Sequence, residues 1–374
     1  MSAKSELPAW VDIGLLPLAN LAVAFVLSGL VVLAVGENPI DALLILVRGA
    51  IGHPEAIAFT LYYATNFIFT GLAVAVAFHA GLFNIGGEGQ AMMGGLGAGL
   101  AALAVAPQLP AWLMLPLMVV AAMVFGLAWA AVPAMLQAWR GSHVVITTIM
   151  FNFIASALLV YLLVDVLKEP GNMSPETREF APSAHLPGVH VVLGALGVQW
   201  PRTPLNLSIV LAVLAAIGVT LLLWRSAPGY AMRATGFAPE AARYGGISPR
   251  AQVMVSMMLS GALAGLVGVN EIAGVHHRVL VDFTAGAGFA GIAVSLIGRN
   301  HPVGIVLAAL LFGALYQGGA ELAFEVPGFS RDMVFTLQGL VVLFAGALGH
   351  VAAPTLARLL VRRPHAATGA AGAA

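Results

Sequence analysis

RSAPGYAMRATGFAPEAARYGGISPR, running from Arg225 to Arg250, is the most basic stretch of a chain that otherwise carries little charge. Apolar segments long enough to cross a membrane flank it on both sides. Its arginines (Arg225, Arg233, Arg243 and Arg250) stand against a single acid, Glu240. By the positive-inside rule such a segment lies on the cytoplasmic side of a membrane. It is patterned as a short helix set crosswise between two spans, with GFAPEAARYGG at its centre. The fold class that follows is all-α: a polytopic transmembrane bundle whose polar stretches are interruptions between spans.

Composition supports this from the other direction. Of 374 residues, 60% are hydrophobic and 9% charged, against about 25% charged in soluble domains. Lipid hides that much apolar surface and a soluble core does not. Equal numbers of acidic and basic residues leave no basic domain for nucleic acid. The absence of cysteine excludes disulfides, thiolate nucleophiles and Cys-ligated metals. Lys4 and Lys168 are the only lysines, and neither lies in a Walker A sequence, so the chain has no P-loop for ATP. No H-E-x-x-H occurs, His276–His277 reads as a solvated pair in a loop, and neither Ser142 nor Ser260 has a G-x-S-x-G setting. No covalent catalysis, cofactor or metal is expected.

A helix needs about 20 apolar residues to cross roughly 30 Å of hydrocarbon. Spans are expected at 13–35, 55–79, 88–106, 111–138, 143–167, 205–224, 251–273, 302–322 and 332–350, with a shorter piece at 286–298 making about ten. The first run is too long for a signal-peptide core and reads as an uncleaved span. Alternation puts Lys4, Arg140, the 225–250 segment, Arg299 and the Arg358, Arg362, Arg363 cluster on one side. The 168–204 loop, His276, His277, Arg278 and Asp282 fall opposite, so both termini are cytoplasmic. Residues 1–350 form one transmembrane domain, and the Ala/Gly-rich 351–374 reads as a disordered cytoplasmic tail.

Glycine interrupts two apolar stretches, GLFNIGGEGQAMMGGLGAG (Gly81 to Gly99) and AGAGFAGIAVSLIGRNHPVG (Ala285 to Gly304). Such pairs mark discontinuous helices lining a path; glycine-rich spans also pack closely with no functional role. Asn84, Glu88 and Gln90 lie in the first stretch, and Asn152 and Asn270 place amides inside other spans, where each needs a partner. Glu88 fits a helix-start capping role and a substrate contact equally. Glu271 lies near the outer end of its span and reads as solvated, and neither acid has an obvious buried cationic partner. Phe83, Phe151 and Phe289 are placed either to pack or to stack on a planar base. These eight residues (Phe83, Asn84, Glu88, Gln90, Phe151, Asn152, Asn270, Phe289) are the candidate substrate pathway.

Six segments resemble the permease subunits of ABC importers, in the branch serving ribose-like sugars, branched-chain amino acids and nucleosides, and most resemble its nucleoside-type members. They are GLFNIGGEGQ (Gly81–Gln90), SHVVITTIMFNFIA (Ser142–Ala155), GYAMRATGFAPEAARYGGIS (Gly229–Ser248), SGALAGLVGVNE (Ser260–Glu271), GFAGIAVSLIGRNHPVGI (Gly288–Ile305) and FGALYQGG (Phe312–Gly319). The resemblance implies a bacterial inner-membrane permease paired with a second, identical or homologous one, driven by a cytoplasmic ATPase and supplied by an extracytoplasmic binding protein or lipoprotein. It also implies that Gly229–Ser248 docks on that ATPase, with Arg233, Gly236, Pro239, Glu240, Arg243, Gly245 and Gly246 as the candidate coupling residues. A simple-sugar or branched-chain amino acid permease of the same fold is the in-class alternative. An ion-coupled secondary transporter is the alternative of another class.

Overall fold

Two helices are enclosed on all sides, and the others are arranged around them. The computed structural model describes residues 16–326 and isolated positions between 333 and 343. In chain order the helices are α1 (Leu16–Ala34), α2 (Pro39–Ile51), α3 (Pro54–His79), α4 (Gly87–Val105), α5 (Ala111–Arg140), α6 (Val144–Tyr161) and α7 (Val189–Ala195). They continue with α8 (Ser208–Arg225), α9 (Ala227–Phe237), α10 (Pro239–Tyr244), α11 (Pro249–Gly265), α12 (Ala287–Ile297) and α13 (Pro302–Glu325). π-helical turns follow α6 at Leu162–Val166 and α11 at Val269–His276. Among the described residues extended pairing is limited to two isolated bridges, Glu176 with Leu280 and Gly188 with Asn206. The chain divides into two compact units. One is Leu43–Val326; the other combines Met1–Ala42 with Pro327–Ala374, of which α1 and the start of α2 are described.

Proline opens α3, α9, α10, α11 and α13 in their first turns, where its missing N–H has no helical partner to lose. α5 runs through Pro116 and Pro133 and stops at Gly141, whose φ of 67° closes the last turn by a bond from its N–H to the Gln137 carbonyl. Every residue of Ala64–Ala77 in α3 and of Gly86–Gly99 around α4 is buried. Helices apolar all round belong in the core. α3 packs against α8, α11, α12 and α13, and α4 against α5, α6, α11 and α12. α5, α6 and α8 turn apolar side chains outward, among them Trp112, Ile146, Phe153 and Leu214.

A close glycine crossing joins α4, α5 and α11. A Cβ on Gly94 would overlap Gly265, one on Gly265 would overlap the Ala122 carbonyl, and one on Gly261 would overlap Gly126. These helices therefore meet backbone to backbone. Small residues at such crossings let backbones approach closely and gain van der Waals contact, which drives helix association where lipid removes the hydrophobic force.

By length and composition α3, α5, α8, α13, α6 with its π turn and α11 with its π turn each suffice to cross a membrane. Residues 22–34 of α1 and α2 pass that test only together, as a sharply bent pair of the kind that forms a broken span or a re-entrant loop. Six of the expected spans (55–79, 111–138, 143–167, 205–224, 251–273 and 302–322) correspond to these helices. The expected 88–106 is α4, too rich in glycine and polar residues to pass, and 286–298 is the 11-residue α12. α2 was not anticipated. Only isolated positions of the expected span at 332–350 are described, and the tail at 351–374 lies outside the described residues.

Gly265→Ala should therefore lower the thermal unfolding temperature in detergent, by about 1–3 kcal/mol of overpacking. Gly218→Ala on α8, where nothing lies within 4 Å, should be neutral or stabilising by up to roughly 1 kcal/mol.

Candidate functional site

α4 and α12 both begin after a break in the chain, residues 80–86 and 277–286, and their starts meet. A Cβ on Gly288 would overlap the backbone of Gly87 and Glu88. Glu88, in the first turn of α4 and only 4% exposed, bridges the junction. One carboxylate oxygen accepts the Thr284 hydroxyl and the Gly286 N–H (3.1 Å), and the other accepts the Gly288 N–H at 2.7 Å. Each helix start carries about half a positive charge. One carboxylate thus offsets two helix ends in a medium where water does neither.

Three amides secure the first break. The Asn84 carbonyl oxygen accepts the Gly86 N–H at 2.8 Å, and its Nδ2 donates to Gln90 (2.9 Å) and to the Ser260 hydroxyl (2.8 Å). Ser260 in turn donates to the Ala73 carbonyl of α3 at 2.6 Å. Asn152 of α6 accepts the Gly89 N–H and donates to the Ile85 carbonyl, both at 2.9 Å. Buried backbone polar groups require such partners, so Asn84, Glu88, Gln90 and Asn152 are brought together as supports of the break. Phe83 is partly buried. Phe151 packs on Trp129 with ring centroids 5.4 Å apart, and Phe289 on α12 is 50% exposed.

Asn270 belongs to a second buried network, at the π-helical end of α11. It donates to Asn66 (2.8 Å), and its side-chain oxygen accepts from Asn206 (2.9 Å) and Ser208 (2.6 Å). Glu271 is 3% exposed and not solvated as expected. It accepts the Tyr62 hydroxyl at 2.7–2.8 Å and the Asn66 amide, and lies 3.4 Å from His276. His276, one turn later and a third exposed, is the ring that faces this acid; its buried partners are the uncharged Tyr62 and Asn66. Sequence reasoning missed Tyr62, Asn66, Asn206 and Ser208. Asn66, an amide amid TNFIFTG of α3, was the available signal.

Residues 172–187 strap this end of α11. The N–H groups of Thr177, Phe180 and Leu186 bond to the carbonyls of Val279, His277 and Ala273 at 2.8–3.0 Å. Arg278 pairs with Glu176 at 2.9 Å and approaches Glu179 at 3.7 Å. The His276–His277 pair is not simply solvated: His276 faces Glu271, and His277 stacks on His185 with centroids 3.8 Å apart. Burial, then the adjacent His185, pushes the His277 pKa below the ordinary histidine range, with His276 adding to this and Glu179 opposing it. The Asn172 amide and then Arg278 hold Glu176 below the usual carboxylate range.

At the opposite end of α3 the basic segment forms two short helices, α9 and α10, rather than the single one expected, because Pro239 opens a new helix. Glu240, Arg243, Gly245 and Gly246 are exposed, whereas Arg233 is partly buried and Gly236 faces the end of α3. Phe237 and Tyr244, not singled out from the sequence, are each 94% exposed. Among the described residues no group of three or more His, Cys, Asp or Glu is arranged to hold a metal.

Discontinuous helices that meet inside an apolar helical bundle are a feature transport proteins use to line a path. Residues 56–369 match the family model described as branched-chain amino acid transport system, permease component, and the chain belongs to that family. It is therefore an integral membrane protein. It is 35% identical over 335 residues to a guanosine ABC transporter permease of Bacillus subtilis, covering 89% of this chain and 93% of that one. A glucose ABC transporter permease of Haloferax volcanii is 33% identical (92% and 90% covered), and a nucleoside ABC transporter permease of Lactococcus lactis 32% identical (88% and 90%).

Glu88→Ala leaves the N–H groups of Gly286 and Gly288 without an acceptor. It should destabilise the protein in thermal unfolding by about 1–3 kcal/mol, with Glu88→Gln intermediate. Glu176 in the strap and His277 beneath it stabilise this contact above their ordinary pKa values and lose that contribution as pH falls. Protection of residues 174–187 against hydrogen exchange, taken relative to the intrinsic rate at each pH, should accordingly fall from about pH 7 downward as His277 charges and fall further below about pH 4.5 as Glu176 is protonated, and His277→Phe, which keeps a stacking ring, should flatten the upper part of that response.

Proposed function

We propose that this chain is the membrane-embedded permease of an ABC importer and carries nucleosides, or related ribose-containing solutes, inward by alternating access. The observation that carries the substrate class is the occupied junction of α4 and α12. Half-helix starts in transporters receive the anionic groups of their substrates. Here Glu88 already accepts the N–H groups of Gly286 and Gly288, which favours an uncharged solute over a branched-chain amino acid. The relatives named above are permeases for guanosine, nucleosides and glucose, all uncharged.

Work comes from a cytoplasmic ATPase subunit docked on α9–α10. A second permease, identical or homologous, completes the pathway, and an extracytoplasmic binding protein or lipoprotein delivers the solute. In this arrangement α9–α10 and both termini are cytoplasmic, the strap faces outward, and residues 1–350 are one domain of about ten spans. Phe237 and Tyr244, at either end of α10 and almost fully exposed, flank Glu240 and Arg243. Exposed aromatics beside charges on a short helix suit a partner's groove. A simple-sugar permease is the second reading, supported by the glucose permease relative.

Proteoliposomes holding the assembled system should take up labelled guanosine with ATP, competed by other nucleosides and not by leucine. Competition by glucose alone would move the assignment to sugars. Uptake that persists without any ATPase and follows an ion gradient would overturn the ABC reading. Phe237→Asp with Tyr244→Asp should weaken ATPase co-purification by about tenfold or more.

A further inference from the structure

α9 is fixed to the bundle through backbone at both ends. A Cβ on Gly229 would overlap the Leu222 carbonyl of α8, and one on Gly236 would overlap the His79 carbonyl and crowd Ala80 and Gly81. Between them Met232 and Thr235 are buried. Gly81 has a φ of 77°, and a Cβ there would lie 3.2 Å from the Gly236 Cα. No side chain separates the two, so α9 cannot advance without displacing Gly81. The ends of the neighbouring helices are held by ring contacts: His79 of α3 meets Trp224 of α8 at 5.3 Å, and Trp224 meets His301, the cap of α13, at 4.9 Å.

Gly81 opens the break that leads to α4. Three residues on is Asn84, bonded to α11 through Ser260, then Ile85, held by Asn152 of α6, and then Glu88, bonded to α12. The loop from Gly81 to Glu88 is thus tethered to three helices within eight residues. A displacement at Gly81 is carried to the junction of α4 and α12 because well-packed backbone is bistable rather than compressible.

We propose that the Gly81–Gly236 contact is the transmission point of the transporter, delivering motion of α9–α10 to the junction at Glu88. Resting on the ABC reading above, this makes Gly236 a positioning residue, distinct from the docking side chains Phe237 and Tyr244.

The test uses the complete complex of permeases, ATPase and binding protein in proteoliposomes. In Gly236→Ala complexes that retain the ATPase, solute carried per ATP hydrolysed falls by about fivefold or more, the scale of a coupling free energy. Loss of folded protein would lower uptake and hydrolysis together and leave that ratio unmoved. Independently of any variant, hydrogen exchange of residues 80–88 in the unmutated complex should change when a non-hydrolysable ATP analogue is added. Unchanged exchange there, or an unchanged ratio in Gly236→Ala recovered folded at the unmutated yield, overturns the inference while leaving the ABC reading intact. Failure of any ATPase to co-purify with the unmutated permease overturns both.

Discussion

Inside hydrocarbon a broken helix is allowed only if every freed backbone group finds a partner within the protein. Glu88 meets that requirement for two helices at once, accepting the N–H groups at the start of α12 from its own place at the start of α4. Without a carboxylate there, two positive helix ends would face each other across the backbone contact of Gly87 and Gly288. The breaks at 80–86 and 277–286, and hence the short α12, depend on this bond set and on Asn84 and Asn152 beside it.

The same breaks connect the two ends of the larger unit. Towards α9 and α10 the first break opens at Gly81, against Gly236. Towards the strap the second begins at His277, stacked on His185, directly after the π-helical turn that holds Asn270 and Glu271. Each break is fixed at several points and free at few. That is a geometry suited to two arrangements rather than to gradual bending, because close-packed backbones move as blocks. The glycine crossing of α4, α5 and α11 supplies the rigid frame against which such blocks are held.

Much of this was legible in the chain, residue by residue. Asn84, Glu88, Gln90 and Asn152 stood out because amides and acids in an apolar run need partners, and they do have them, though within the protein. Six apolar stretches correspond to membrane-length helices because hydropathy is a local property. Glu271 was misread as solvated, since its nearness to a span end says nothing of the Tyr62 and Asn66 side chains more than two hundred residues earlier. Phe237 and Tyr244 escaped attention because exposure of an aromatic depends on what packs over it. The second short helix escaped it because a proline in such a segment opens a helix as readily as it ends one.

The sequence by itself determined that the chain is helical, dissolves in lipid and breaks its spans at two glycine-rich places. Composition, run length and local breakers set those features, and each acts over about twenty residues or fewer. Only the tertiary structure decided which polar group answers which. Glu88 reaches Gly286 and Gly288 across about two hundred positions, and Gly81 meets Gly236 across more than one hundred and fifty. Pairing at such separations is fixed by helix packing, which places chain segments side by side irrespective of their distance along the sequence.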